Sequence, residues 1–261
     1  MAADRGTTRF RASVGAATFA AVVLAWYATT SLTQILPAVY FPPPGEVLQA
    51  LRQIVVQGYA DGRLQEHFLH SCKLVLMGFA AAVGIGVPLG MLMGASRRWE
   101  AAINPVFLLL RPIPPLAWIP LAIVWLGLGD APKVLVIWFA AFVPAVINSY
   151  AGVRSIEPHL IEAASSLGVS RWLMTREVLL PGALPLIFTG LRMALQACWT
   201  TLVAGELIGA IVGLGHVLYQ AGLDLFPAMI VVGMISVAVA GGMMTIVLGW
   251  LERAVMPWRA R

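Results

Sequence analysis

We take three of the ionisable side chains within otherwise apolar segments, where a charge is costly, as functional candidates. They are Glu206, Arg192 and Arg111. Glu206 suits either a hydrogen bond to a neighbouring helix or a role in lining or gating a polar pathway. Arg111, beside a run of prolines, suits either a helix break or a pathway, and Arg192 lies near enough to its segment's end for the guanidinium to reach the membrane boundary. All three are retained as pathway or gating candidates.

The motifs that would make this chain an enzyme are missing from its sequence. A nucleotide-binding P-loop ends in Gly-Lys-Ser/Thr, but neither of the two lysines, Lys73 and Lys133, follows a glycine. No Gly-x-Ser-x-Gly elbow and no His-Glu-x-x-His pair occurs. His67, His70 and Cys72 have a spacing that a metal tolerates, but a fourth ligand is not evident. We therefore predict no catalytic residue, no metal site and no cofactor on this chain.

The composition indicates the environment of these residues. Of 261 residues, 60% are apolar or aromatic and 11% are charged, with a mean hydropathy of +0.86. Soluble domains have roughly 45–50% apolar and about 25% charged residues, so a soluble fold is excluded. A spanning helix needs roughly 20 apolar residues. We predict an all-α membrane protein in one membrane domain, 12–252, between tails at 1–11 and 253–261. Its six spans are predicted at 12–32, 69–94, 102–128, 134–152, 184–212 and 228–251.

The distribution of basic residues predicts the orientation, because Lys and Arg are enriched in short cytoplasmic flanks. The first apolar run is too long for a signal-peptide core, so we expect it to be retained. Eleven basic residues then lie on the side of the amino terminus and three, Arg52, Arg63 and Lys133, on the other. Both termini are therefore predicted to be cytoplasmic. The net charge of +5 is scattered between apolar runs, so we expect no nucleic-acid partner.

Small residues and prolines predict how the spans pack. Small residues at a spacing of four allow close helix approach, and they form one stripe at Gly78, Ala82, Gly86, Gly90 and Gly94 and a second at Gly205, Gly209 and Gly213. Both stripes suit helix packing, with a sliding seam as the alternative. Five prolines between 105 and 120 must break the helical hydrogen bonding, which is tolerated at membrane depth only where protein or a cavity surrounds it. Cys72 and Cys198 lie in different apolar segments and are expected to be free thiols.

The segment 153–181 is dense in charge and is predicted to form a rigid cytoplasmic loop. Pro158 suits a first helical turn and Gly168 a helix end. Ser170 can cap a second helix, which we expect to stop before Pro181. Two short helices at an angle would make a compact docking element.

This loop resembles the EAA loop of the permease subunits of ABC importers. The matching residues are Glu162, Ala163, Ala164, Gly168 and the segment Val178-Leu179-Leu180-Pro181. The segments FPPPGEVL, RPIPPLAWIPLAIVWLGLGDAPK, LLPGALPLIFTGLR and GELIGAIVGLGHVL extend the resemblance to the taurine, aliphatic sulfonate and nitrate branch, with the taurine permeases most similar. Two departures, LGLG at 126–129 and Gly205 before Glu206, leave the substrate open.

The resemblance implies the machinery around the chain. Two copies would form one pathway in the bacterial inner membrane, above two cytoplasmic ABC ATPase subunits that carry ATP and Mg. A periplasmic binding protein would deliver a small anionic solute, taurine or another sulfonate. The loop would couple ATP hydrolysis to transport through Glu162, Ala163, Ala164, Leu167, Gly168 and Pro181.

The sequence also leaves alternatives to this function. Nitrate or another small solute is the alternative within the same family. An ion-coupled secondary transporter that uses Glu206 is a different class, but such transporters often contain inverted repeats, and no convincing repeat is evident. An intramembrane enzyme is disfavoured by the missing catalytic motifs.

Overall fold

The computed structural model describes residues 2–32, 37, 40–207 and 210–260, and every regular element in these ranges is helical. The α-helices are α1 Ala2–Tyr27, α2 Pro44–Val56, α3 Leu64–Ala95, α4 Arg97–Leu110, α5 Ile119–Leu126, α6 Asp130–Arg154, α7 Pro158–Ser166, α8 Arg171–Met174, α9 Leu180–Glu206, α10 Leu214–Leu223 and α11 Pro227–Val255. The predicted all-α class is confirmed.

Five helical segments are long and apolar enough to cross a membrane: 13–32, 64–95, 130–154, 171–206 and 227–255. A sixth crossing arises if α4 and the segment Pro115–Leu126 count as one broken span, which bends by 84°. Each proline in this region removes a backbone donor and crowds the preceding turn, so the chain cannot continue as one helix. The prediction of about six spans holds, but the third, 102–128, is not a continuous helix.

The core of the fold is a row of three helices in which α6 packs along both α3 and α9. The predicted stripe on α3 faces α6. A side chain at Gly90 would overlap the Val146 carbonyl oxygen, and one at Gly78 would overlap Ile137. The stripe therefore allows two backbones to approach closely, as predicted from the spacing of small residues.

The second predicted stripe is wrong. Helix α9 ends at Glu206, whereas the fifth span was expected to continue to 212. Gly213 precedes α10 with a φ of +148°, so it is not in helical register with Gly205. Gly209 lies outside the described residues. Gly213 permits a backbone conformation that other residues rarely adopt, so the chain can enter α10 in a new direction.

The second helix of the charged loop does not stop before Pro181, contrary to expectation. Helix α8 continues through a π-helical turn, Thr175–Leu179, directly into α9. Pro181 is the second residue of α9 and directly follows the π-helical turn, where the regular i→i−4 hydrogen bonding is already altered. One helical segment of 36 residues, 171–206, thus joins the loop to the opposite end of the bundle.

Helix α1 contacts the rest of the chain mainly at its carboxyl end, where the Trp26 indole N–H donates to the Pro42 carbonyl oxygen at 3.0 Å. Only 6% of its apolar window, Ser13–Leu32, is buried. Another apolar surface or lipid must therefore cover it.

Cys72 and Cys198 are both free, as predicted.

Candidate functional site

The segment 155–170, here called the coupling loop, is a short helix and a tight turn that project from one end of the bundle. Pro158 opens α7, and Gly168 ends the following turn with a φ of +71°. Gly168 N–H donates to the Ser165 carbonyl oxygen at 3.0 Å, and the Ser170 hydroxyl accepts from Leu173 N–H at 3.3 Å. These local bonds fix the conformation of the loop, as Pro158, Gly168 and Ser170 predicted.

Apolar contacts fasten the coupling loop to the helix bundle. Ile161 packs against the central core, and Ala164 is buried. Ile156 lies against Gly182 on α9, where a side chain would approach its methyl groups to 3.0 Å. The loop is thus anchored on one face to the helix that enters the core.

The opposite face of the coupling loop is open. Glu162 and Ala163 are exposed, and Leu167 is 83% exposed at the tip. The open face therefore combines a carboxylate, a small side chain and one aliphatic side chain on a turn of fixed conformation. Of the predicted coupling residues, Ala164 is turned inward and Pro181 lies half-buried at the start of α9, so only Glu162, Ala163, Leu167 and Gly168 share the open surface.

Glu206 is the centre of a buried polar cluster at the other end of the bundle, with a side chain that is 0% exposed. Its Oε1 accepts from the Ser71 hydroxyl of α3 at 2.8 Å, and its Oε2 accepts from Gly215 N–H at 2.7 Å. Ser71 Oγ in turn accepts from Leu214 N–H at 2.9 Å. The carboxylate lies at the amino end of α10, where the helix dipole favours negative charge. Of the two interpretations of Glu206, the structure displays the hydrogen bond to a neighbouring helix.

His67 completes this cluster, and both of its ring nitrogens have hydrogen-bond partners. Its Nδ1 accepts from Gly213 N–H at 3.0 Å, so the proton of the neutral ring is on Nε2, which donates to the Tyr59 carbonyl oxygen at 3.0 Å. Among the described residues, no group of three His, Cys, Asp or Glu side chains could hold a metal ion. Three successive N–H groups at the start of α10, those of Gly213, Leu214 and Gly215, thus have side-chain acceptors. The acceptors are His67 and Ser71, one helical turn apart on α3, and Glu206 of α9.

The glycines around α10 are required by this cluster. A side chain at Gly213 would overlap the Glu206 carboxylate, and one at Gly215 would lie 2.7 Å from Glu206 Cβ. Ser71, Gly213 and Gly215 were not predicted as site residues. The spacing of His67 and Ser71 on one helix face was the available signal, but nothing in the sequence connects that face to residue 206.

Arg111 and Arg192 have partners that differ from each other and from those of Glu206. Arg192 forms an ion pair with Glu252 of α11. Arg111 ends α4 and lies at a cavity of about 350 Å³ between the broken span and α6. Its walls include the stacked rings of Trp118 and Phe139, 4.3 Å apart. The three predicted pathway residues therefore do not form one site within a single chain.

A second ion-paired group lies near the coupling loop. Glu100 of α4 pairs with Arg154 at the end of α6 and accepts from the Tyr150 hydroxyl. These contacts connect the α3–α4 junction to the helix that precedes the loop. Sequence reasoning used Arg154 only for orientation and did not predict this pair, because its partners are 54 positions apart.

Comparisons with known proteins agree with this geometry. Residues 86–261 match the model of the family described as "Binding-protein-dependent transport system inner membrane component". The taurine transport system permease protein TauC of Escherichia coli (strain K12) is 38% identical over 92% of this chain and 88% of its own length. The putative aliphatic sulfonates transport permease protein SsuC of Bacillus subtilis (strain 168) is 31% identical over 92% and 85%.

More distant relatives extend these matches. The nitrate import permease protein NrtB of Synechocystis is 31% identical over 83% of this chain and 80% of its own length. An inward-facing structure of the MetNI methionine ABC transporter has the same fold, with a TM-score of 0.58 and 21% identity over 71% of this chain and 95% of the matched chain. The broken span, the exposed loop and these matches lead to one conclusion: this chain belongs to the family of binding-protein-dependent transport system inner membrane components and is a membrane-spanning permease subunit of an ABC importer.

Proposed function

We propose that this permease imports taurine or another small sulfonate, driven by ATP hydrolysis on separate subunits. The match to a taurine permease over 92% of the chain carries the substrate assignment. Nitrate is the second candidate, because a nitrate import permease is also similar over 83% of the chain. Selectivity is expected to reside mainly in a periplasmic binding protein that delivers the solute, which accounts for the lack of an evident anion-binding cluster in the sequence of this chain.

The coupling loop is proposed to dock on a cytoplasmic ABC ATPase through Glu162, Ala163, Leu167 and Gly168. Its support is the combination of a fixed turn and an open apolar tip. From this loop the continuous helical segment 171–206 runs to Glu206. A displacement of the loop would therefore be transmitted along α9 to the buried cluster that holds α10. ATP and Mg would be bound by the ATPase subunits and not by this chain.

The orientation is proposed to place both termini and the coupling loop in the cytoplasm of the bacterial inner membrane. The two ends of the bundle differ in charge: Arg63 and Lys133 lie near the starts of α3 and α6, whereas Arg98, Arg154 and Arg171 lie at the opposite ends of the core helices. The excess of arginine beside the coupling loop supports a cytoplasmic position for it.

A pair of these chains is proposed to enclose the pathway, with one ATPase under each copy. The support is α1, whose apolar window is almost entirely unburied within its own chain. A second copy would cover part of this surface, and lipid would cover the remainder. In the pair, Arg111 and the aromatic cavity beside it are the candidates for the pathway surface.

The test is uptake of radiolabelled taurine into proteoliposomes that contain the permease, its ABC ATPase and its binding protein. We expect accumulation that requires ATP on the ATPase side and that excess ethanesulfonate suppresses more strongly than nitrate. Titration of the purified binding protein with the same three anions assigns the substrate independently. Uptake that continues without the ATPase and follows a proton gradient would instead identify a secondary transporter.

A further inference from the structure

A polar cavity of about 740 Å³ lies between the α3–α4 junction and the coupling loop. We call it the basic cavity. Three arginines line it: Arg97 and Arg98 from the first turn of α4, and Arg171 from the start of α8. Ile161 and Ser165, one turn apart on α7, close it on the side of the loop. The basic cavity therefore lies behind the open face that is proposed to dock on the ATPase.

The positive charge of the basic cavity is not neutralised by its own walls. Among the described residues that line it, none is acidic. Two neighbouring carboxylates are engaged in ion pairs, Glu100 with Arg154 and Glu177 with Arg176, and Glu100 also attracts Arg97. No acidic partner is found for Arg98 or Arg171 in the described part of the chain. A cavity lined by several guanidinium groups and by no acidic residue is suited to a bound anion.

The basic cavity opens at the level of the membrane boundary. The spanning helix α3 ends at Ala95, and α6 ends at Arg154. Leu92, which lines the cavity, is exposed on the apolar part of α3, and Trp99, also in the wall, is 53% exposed. Tryptophan beside arginine is typical of the interface, where lipid phosphates lie.

We propose that the basic cavity binds a phosphate-type anion between Arg98 and Arg171. The anion is the headgroup phosphate of an anionic lipid or free phosphate. It would link the start of α4 to the start of the helical segment 171–206 and so stabilise the coupling loop against the bundle. This site is separate from the proposed docking surface and does not depend on which solute is transported.

The test is thermal unfolding of the full-length chain in detergent, followed with a thiol-reactive dye. Cys72 is only partly buried and is replaced by alanine in every protein tested, so unfolding is reported by Cys198, which is buried in the native state. Phosphatidylglycerol, phosphatidylcholine and inorganic phosphate are titrated separately. The double variant R98Q/R171Q removes both unpaired charges, and R98K/R171K keeps them. The control R176Q removes one charge of the same segment from a residue that does not line the cavity.

We expect phosphatidylglycerol to raise the unfolding midpoint of the parent, R176Q and R98K/R171K, and to act on R98Q/R171Q only at about tenfold higher concentration. If inorganic phosphate does not change the unfolding midpoint, the ligand is the lipid headgroup. If inorganic phosphate raises the midpoint as much as phosphatidylglycerol does, the site accepts a phosphate from either source. An equal response to phosphatidylcholine, no response to either phosphate source, or an unchanged response in R98Q/R171Q would overturn the proposal. The lysine variant changes the same two side chains but keeps their charge. If it still responds to phosphatidylglycerol, the weaker response of the glutamine variant comes from loss of charge and not from a folding defect.

Discussion

Glu206, the last residue of α9, accepts a hydrogen bond from Ser71 of α3, and the two side chains together receive the N–H groups of Leu214 and Gly215 at the start of α10. Both side chains are completely buried. The carboxylate thus fixes where a spanning helix stops and the next helix begins. Glu206 is the last residue of the helical segment 171–206, which begins at the coupling loop. The position of α10 therefore depends on the end of this segment.

Glu206→Gln is expected to weaken this junction without preventing folding. An amide has one acceptor oxygen and an NH2 donor, so it cannot accept from Ser71 and Gly215 through two separate oxygens, and one of these charge-assisted bonds is replaced by a weaker neutral contact. A buried hydrogen bond to a charged group contributes about 1.5–3 kcal/mol. We expect a loss of free energy of unfolding of that size and slower uptake, measured by thermal unfolding and by transport. Glu46→Gln, which changes an exposed residue of α2, is the control. Unchanged uptake would leave Glu206 with a structural role only.

Gly168→Ala is expected to impair coupling through backbone strain alone. A side chain at Gly168 would meet no atom within 4 Å, but the φ of +71° costs an ordinary residue about 1–2 kcal/mol. The turn would relax and displace Leu167, so ATP-driven uptake should fall several-fold while membrane insertion is retained. Gly84→Ala is matched, since Gly84 also lies in open space but in an ordinary helical conformation. Equal activity of the two variants would contradict a role for the turn.

Leu167→Asp is expected to abolish association with the ATPase. The substitution places a charge at the open tip of the coupling loop, where the proposed contact is apolar, and leaves the buried core untouched. The measurement is copurification of the ATPase with the tagged permease. Leu225→Asp serves as the control because Leu225 is 85% exposed between α10 and α11, at the other end of the bundle. The docking assignment fails if both variants retain the ATPase equally.

Sequence reasoning predicted the features that depend on local pattern. Hydrophobic length predicted the spans, and the spacing of small residues predicted that α3 packs closely against another helix. Pro158 and Gly168 predicted the short loop helix and its end. Each of these features can be predicted from sequence because it depends on a few residues that are close together in the chain.

The features that depend on distant partners could not be predicted. Ser71 and Glu206 are 135 positions apart, so neither residue type indicates the other. The early end of α9 also depends on distant partners. It follows from the buried contacts of Glu206 with α3 and α10, and not from a helix-breaking residue at that point. The helix through Pro181 was missed because proline normally marks a boundary, whereas here a π-helical turn precedes it.

Gly90→Ala is expected to separate α3 from α6. The new methyl group would overlap the Val146 carbonyl oxygen and lie 2.8 Å from Ser149 Cβ, and the backbone oxygen cannot move without shifting α6. Overpacking of this kind costs about 1–3 kcal/mol. We expect a lower unfolding temperature in detergent, measured against Gly84→Ala, which adds the same methyl group to the same helix in open space. A stability equal to that control would show that the close approach is dispensable.

The hydrogen bond between Tyr59 and Asp224 predicts how stability depends on pH at the end of the bundle opposite the coupling loop. The Tyr59 hydroxyl donates to Asp224 at 2.5 Å, and burial, the hydrogen bond and the negative charge of Asp224 raise the pKa of Tyr59 above its ordinary value. Unfolded tyrosine loses its proton near pH 10, so above that pH the unfolded chain binds fewer protons than the folded one and stability falls. Tyr59→Phe should be less stable at neutral pH but should lose less stability between pH 9 and about 11. Parallel pH profiles of the two proteins, measured by thermal unfolding, would show that this bond does not hold the two loops together.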